Sequence, residues 1–119
     1  MKHTHYADIP AFVTKDGSLI RELMHPGQHA SRRQSLAEAI VHVGQKTALH
    51  RHHQSEELYH ITAGEGRMTL GEDDFIVHTG DTICIAPGTP HCIENIGQTA
   101  LRILCSCAPA YAHTDTEIL

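Results

Sequence analysis

The chain has 119 residues, enough to build one ordinary core and too few for two. Nine Lys plus Arg against fourteen Asp plus Glu give a formal net charge of −5, and the one basic run is Arg32-Arg33, which argues against nucleic acid or an anionic membrane as partner. No stretch approaches the roughly 18 apolar residues that a bilayer span needs, and the opening MKHTHYADIP lacks the apolar centre of a secretory leader, so a soluble, cytoplasmic protein is expected.

In chain order, "DGSLIRELMHP" predicts an early strand over Ser18–Leu23, able to pair with a barrel edge or to cross to a partner subunit. Pro26 to Gln34 is polar and reads as a mobile loop. From Leu36 the text becomes short β-favouring runs: Leu36–Val43, Thr47–His53, Glu57–Thr62, Arg67–Leu70, Phe75–His78, Thr82–Ile85, His91–Asn95 and Leu101–Ser106. Turn signals separate them at Gly44, Gly64-Glu65-Gly66, Gly71-Glu72-Asp73-Asp74, Gly80-Asp81, Pro87-Gly88-Thr89-Pro90 and Gly97. About nine short strands with no helical period indicate an all-β barrel or sandwich. The organisation expected is one domain, with an N-terminal strand and loop extension over 1–34, the barrel over 35–108, and a surface strap or tail over 109–119.

Cys84, Cys92, Cys105 and Cys107 show no C-x-x-C spacing and are expected as thiols in a reducing compartment. Cys84 and Cys105 read as small buried hydrophobes. Cys92 stands directly beside His91.

The chemistry concentrates in "LHRHHQSEELYH", Leu49 to His60. Residues i and i+2 of a strand share a face, so His50 and His52 present two imidazoles side by side. Glu57 shares its parity with Tyr59 and Ile61 and points inward, whereas Glu56 falls in the connection, toward solvent. A buried unpaired carboxylate is costly, so an inward glutamate beside two inward histidines calls for a cation. A distant candidate ligand is His91, placed by a Pro-Gly-Thr-Pro turn and sharing its face with Ile93 and Asn95. Three imidazoles and a carboxylate suit a divalent first-row metal and leave two coordination positions open. His42, His53, His60 and His78 read as exposed or locally bonded, and Tyr59 brings a phenol into the barrel as the candidate catalytic residue.

These residues resemble both sequence motifs of the cupins. The first, G-x5-H-x-H-x(3,4)-E-x6-G, reads as Gly44, His50, His52, Glu57 and Gly64; the second, G-x5-P-x-G-x2-H-x3-N, reads as Gly80, Ala86, Gly88, His91 and Asn95. Only Ala86 departs, standing where proline is usual beside Pro87. The resemblance implies a single-domain antiparallel jelly-roll β-barrel, commonly dimeric, with His50, His52, Glu57 and His91 as metal ligands. The flanking segments look like a small stand-alone bacterial type often labelled after mannose-6-phosphate isomerase, a label that rests on fold similarity and does not establish activity.

Three classes of function follow. A redox-active ion, above all iron, in such a site would make a dioxygenase. A non-redox ion such as zinc or manganese would make an isomerase, epimerase or lyase, with nickel and copper also compatible with the donor set. A binding module would hold metal and a small ligand without turnover. Regulatory cupins usually carry an attached DNA-binding domain, for which this chain has no room. A sugar phosphate would need cationic anchors, for which only Arg21, Arg67 and Arg102 come into question. The expectation is a metal-dependent cupin, an enzyme rather than a binder, acting on a small polar, sugar-like or oxygenated molecule, and forming a homodimer.

Overall fold

Along Leu101–Ala108 every second side chain, Leu101, Ile103, Cys105 and Cys107, is buried, while those between them are partly exposed. The same period of two runs through Glu56–Ala63, where Glu57, Tyr59 and Ile61 turn inward, and through His91–Asn95, where His91, Ile93 and Asn95 do. Strands with one apolar face must close over each other to remove that face from water.

In the computed structural model, which describes residues 1–119, they do so as two antiparallel sheets. The strands are β1 (Phe12–Val13), β2 (Leu19–Met24), β3 (Ser35–Val41), β4 (His50–His52), β5 (Glu56–Ala63), β6 (Glu65–Leu70), β7 (Asp73–His78), β8 (Thr82–Ile85), β9 (His91–Asn95), β10 (Leu101–Ala108) and β11 (Thr116–Ile118). One sheet has the order β1-β2-β3-β10-β5-β8 and the other β11-β4-β9-β6-β7. Face to face they form the expected antiparallel jelly-roll barrel, with Ile61, Met68, Ile85, Ile93, Leu101 and Ile103 fully buried between them. No helix is long and apolar enough to cross a membrane.

Two strands escaped sequence reading because their identity depends on a partner. β1 is two residues long and exists by pairing Phe12 with Ile20 and Val13 with Leu19. β11 lies in the polar tail and exists by pairing Thr116 with His52 and Ile118 with His50. The tail is therefore an ordered strap. The early strand, now β2, pairs with β3 of the same chain, Ile20 opposite Ala39.

Other expectations are corrected. Cys84 is exposed, because β8 buries Ile83 and Ile85 and so turns Cys84 outward; Cys105 is buried as expected. Glu56 belongs to strand β5, not to the connection before it, although its side chain is exposed. Beyond the exposed Leu36, β3 is buried on both faces because the N-terminal segment covers its outer side, where Tyr6 donates its hydroxyl to Glu38 and Arg21 and Arg102 pair with the same carboxylate at 3.8 and 3.3 Å.

Glycine is required where the two sheets turn toward each other. Gly64, between β5 and β6, has φ +89°, and a Cβ there would lie 3.0 Å from the Ala100 carbonyl oxygen.

Candidate metal centre

β4, β5 and β9 each carry inward polar residues at one end of the barrel, where an all-apolar core would be expected. His50 and His91 face each other across the β4–β9 pair, and His52 follows on β4. Gly88, at φ +80°, shapes the turn before β9 and donates its N–H to the His52 carbonyl, so the turn that delivers His91 is tied to the strand carrying the other two.

The three imidazoles share one tautomer. His50 Nδ1 donates to the Ala48 carbonyl at 2.7 Å and His91 Nδ1 to the Thr89 carbonyl at 2.9 Å; a carbonyl can only accept. His52 Nδ1 lies 2.9 Å from Thr116 Oγ1, whose own proton is committed to the Ala112 carbonyl, so this hydroxyl also accepts. Every Nε2 is thereby left with its lone pair turned inward.

These three nitrogens lie within 4.8 Å of one another. Glu57 Oε1 approaches them at 3.1 Å from His52 Nε2 and 3.4 Å from His91 Nε2. Three imidazole acceptors and a carboxylate acceptor thus converge in a buried place, and His91 Nε2 has no hydrogen-bond partner at all. Acceptors facing acceptors in low dielectric repel unless a proton or a metal cation lies among them. The donor set fits a divalent cation, and the His50, His52 and His91 cluster could bind one.

Electrostatics follow the same lines. Burial would raise the Glu57 carboxyl, but the nearness of His52 and His91 outweighs it and brings it down to about 2. Burial, then the neighbouring His91, push His50 below its ordinary value against the pull of the Ala48 carbonyl. Cys107, on β10, donates its thiol to Glu57 Oε2 at 3.2 Å. Burial and that carboxylate raise the thiol far above its ordinary value and keep it a donor.

His50, His52 and Glu57 line a cavity, and His91 lies fully buried beside them. Ile20, Ala37, Ala39, Val41, Ile93 and Ile103 supply apolar wall. Tyr59 also lines it, its ring 6.1 Å from that of His91. Burial first and the Glu57 charge second hold its phenol protonated, so Tyr59 can donate a hydrogen bond but cannot serve as a base near neutral pH.

The structure brings together His50, His52, Glu57, His91 and Tyr59. His42, His53, His60 and His78 are exposed, and Cys92 turns away from His91 to the other face of β9. Asn95 does not reach the cluster; its amide donates to the Val41 and Thr99 carbonyls and braces the end of β9. None of the candidate arginines lines the cavity, since Arg67 is exposed and Arg21 and Arg102 are engaged with Glu38.

Sequence reading missed Asp16, Cys107, Tyr111 and Thr116, all of which line the same cavity. Cys107 shares the inward parity of Cys105 and was recoverable. Asp16 and the two tail residues reach the site only through tertiary pairing.

The model of the cupin domain family matches residues 37–107. The chain is a cupin. Among its relatives is an uncharacterized protein of Methanocaldococcus jannaschii, MJ1618, 58% identical over 98% of this cupin and 93% of its own length. The oxalate-binding protein of Thermotoga maritima is 33% identical over 72% of this chain and 67% of that one. A solved structure of Streptomyces PAC13 with uridine superposes on the whole chain and on 91% of its own with a TM-score of 0.82 at 16% identity, a likeness of fold.

Proposed function

We propose that this cupin is a metal-dependent enzyme acting on a small, oxygen-bearing organic molecule. The observation that carries the reading is the convergence of four acceptors, the buried His91 Nε2 among them with no partner, beside a cavity that His50, His52 and Glu57 line. His50, His52, Glu57 and His91 would hold a divalent transition metal, iron, manganese, zinc, nickel or copper. Such an ion supplies Lewis acidity, or redox chemistry if it is iron or another redox-active metal.

The chain's own contributions are distinct. The Nδ1 partners of the three histidines keep their Nε2 atoms aimed at one point, which lowers the entropy lost on binding. Cys107 fixes Glu57 in the orientation that presents Oε1. Tyr59 offers a protonated hydroxyl to an oxygen of the bound molecule, and the apolar wall limits the access of water.

The charge of the cavity narrows the substrate. Asp16, Glu22 and Glu57 line it and no lysine or arginine does, so a phosphorylated sugar finds no cationic anchor among the side chains. A sugar-like or oxygenated compound without phosphate suits it better, in either an isomerase-type or a dioxygenase-type reaction. A second reading, a module that binds a small oxygen chelator without turnover, is supported by the 33% identity to an oxalate-binding protein.

A homodimer is part of the proposal. The outer face of the first sheet carries a cross-strand row of Met24, Leu36, Ser106, Leu58 and Cys84, with Leu36 39% and Leu58 42% exposed, an apolar strip suited to a second copy.

Elemental analysis of the protein purified without added metal, beside His50→Ala and His91→Ala variants, tests the centre. One equivalent of metal in the parent and its loss in both variants is expected. Iron with substrate-dependent oxygen uptake favours the dioxygenase; zinc or manganese without uptake favours non-redox chemistry. Equal metal content in all three proteins would refute ligation by these histidines.

A further inference from the structure

The turn between β1 and β2 brings a second carboxylate to the histidine cluster from outside the motif-bearing strands. Thr14 and Ser18 close this turn, with Thr14 N–H donating to the Ser18 carbonyl and Gly17, at φ +93°, donating to the Thr14 carbonyl. Asp16 occupies its tip. Three hydrogen bonds fix the residue: Ala48 N–H donates to its backbone oxygen at 2.8 Å, and Ser18 donates to Oδ1 through N–H at 2.9 Å and through its hydroxyl at 2.7 Å.

Oδ1 is therefore occupied, and Oδ2 is left over. It lies 3.6 Å from His50 Nε2. The Asp16 side chain is only 12% exposed, and the residue lines the cavity. Because His50 Nδ1 carries the proton donated to Ala48, the nitrogen opposite Oδ2 is an acceptor, and the pair repeats the acceptor-to-acceptor arrangement of Glu57 with His52 and His91.

Distance makes the same point. Two donors each about 2.1 Å from one ion, and about 90° to 120° apart, stand about 3.0 to 3.6 Å from each other. The carboxylate contacts with the histidines, 3.1 and 3.4 Å for Glu57 and 3.6 Å for Asp16, all fall in that interval. Glu57 approaches His52 and His91, and Asp16 approaches His50, so the two carboxylates serve different sides of the cluster.

We propose that Asp16 is a fifth protein donor to the metal, ligating through Oδ2, with Ser18 and Ala48 holding it in place. The inference rests on the metal reading above and extends it to a residue outside both motifs. Two carboxylates cancel the charge of a divalent ion, and five protein donors leave one position of a six-coordinate ion for a ligand, where four would leave two. An uncharged oxygen ligand binding through one atom then suits the centre better than a chelating dianion.

The test uses Co(II) as probe on the full chain stripped of metal, comparing parent, Asp16→Asn and His50→Ala by competition with a chelator and by visible d–d absorption. Asparagine keeps the acceptor for Ser18 and removes the charge. Asp16→Asn should weaken Co(II) binding about 10- to 100-fold and shift the absorption bands, while metal-free thermal melts match the parent. Should D16N fail to fold, Ser18→Ala, which frees the carboxylate without removing it, is read by the same two measurements. Unchanged affinity and unchanged bands in the folded variant would overturn the role of Asp16 while leaving the histidine site intact. Parent protein that binds no Co(II) would instead overturn the metal reading itself, and this inference with it.

Discussion

The hydroxyl of Thr116 accepts the Nδ1–H of His52 at 2.9 Å across 64 residues of chain, so the last strand of the protein sets the tautomer of a residue in the middle of it. Thr116 can take this role because its own proton goes to the Ala112 carbonyl. Thr116→Val keeps the shape and removes the acceptor, leaving a buried imidazole N–H unpaired. A loss of about 1 to 3 kcal/mol in stability is expected, together with about 10- to 100-fold weaker metal retention. Urea denaturation and chelator competition measure the two, and a variant retaining metal like the parent would show that the strap is not needed to orient His52.

Cys107 supports the carboxylate as Thr116 supports the imidazole. Cys107→Val fills the same space but cannot donate to Glu57 Oε2, so Glu57 loses the bond that sets its orientation. Metal affinity should fall about tenfold, and Cys107→Ser, which keeps a donor, should recover most of it. Serine and valine variants with the same affinity would reduce the thiol to a space-filler.

The metal-free protein should lose stability on acidification, with the sign set by two groups. His50 is held below its ordinary 6.5 by burial and His91, so the unfolded chain binds a proton before the folded one does, and stability falls as pH drops below that value. Glu57 is held at about 2 against an ordinary 4.5, so its contribution is complete above 4.5 and is lost as pH falls toward 2. Denaturation midpoints in the presence of a chelator should therefore decline steadily from pH 7 to pH 3. Metal should leave over the acidic part of the same range, since the imidazoles must be neutral to bind. A midpoint that rose on acidification would contradict both shifts.

Gly64 and Gly80 separate two costs of replacing a glycine. Both have positive φ, +89° and +97°, but a Cβ at Gly64 would meet the Ala100 oxygen at 3.0 Å and Leu101 Cα at 3.1 Å, whereas at Gly80 it would meet nothing within 4 Å. Gly80→Ala should cost about 1 to 2 kcal/mol for the left-handed backbone alone, and Gly64→Ala clearly more. Equal losses in urea titrations would mean that the backbone at Gly64 yields freely.

Much of the site was legible in the chain because strand periodicity is strict. Once His50, His52, Glu57 and His91 are placed on strands, parity alone turns them to one face, and the two cupin motifs tie the separated strands to one barrel. Asn95 shows where a motif residue has a structural task, holding the Val41 and Thr99 carbonyls instead of facing the cluster. The position of Cys84 shows where composition misleads: a cysteine is apolar enough to be buried, but its parity on β8 sends it to the surface.

What the sequence determined by itself is local: which side chains share a face, where glycine permits a turn, and how much charge the chain carries. Only the tertiary structure decided that Asp16 from the first hairpin, Thr116 from the last strand and Cys107 from β10 reach the same few ångströms. Contacts across 50 or more residues depend on which strand pairs with which, and that is set by closure of the whole barrel, so no spacing along the chain records it.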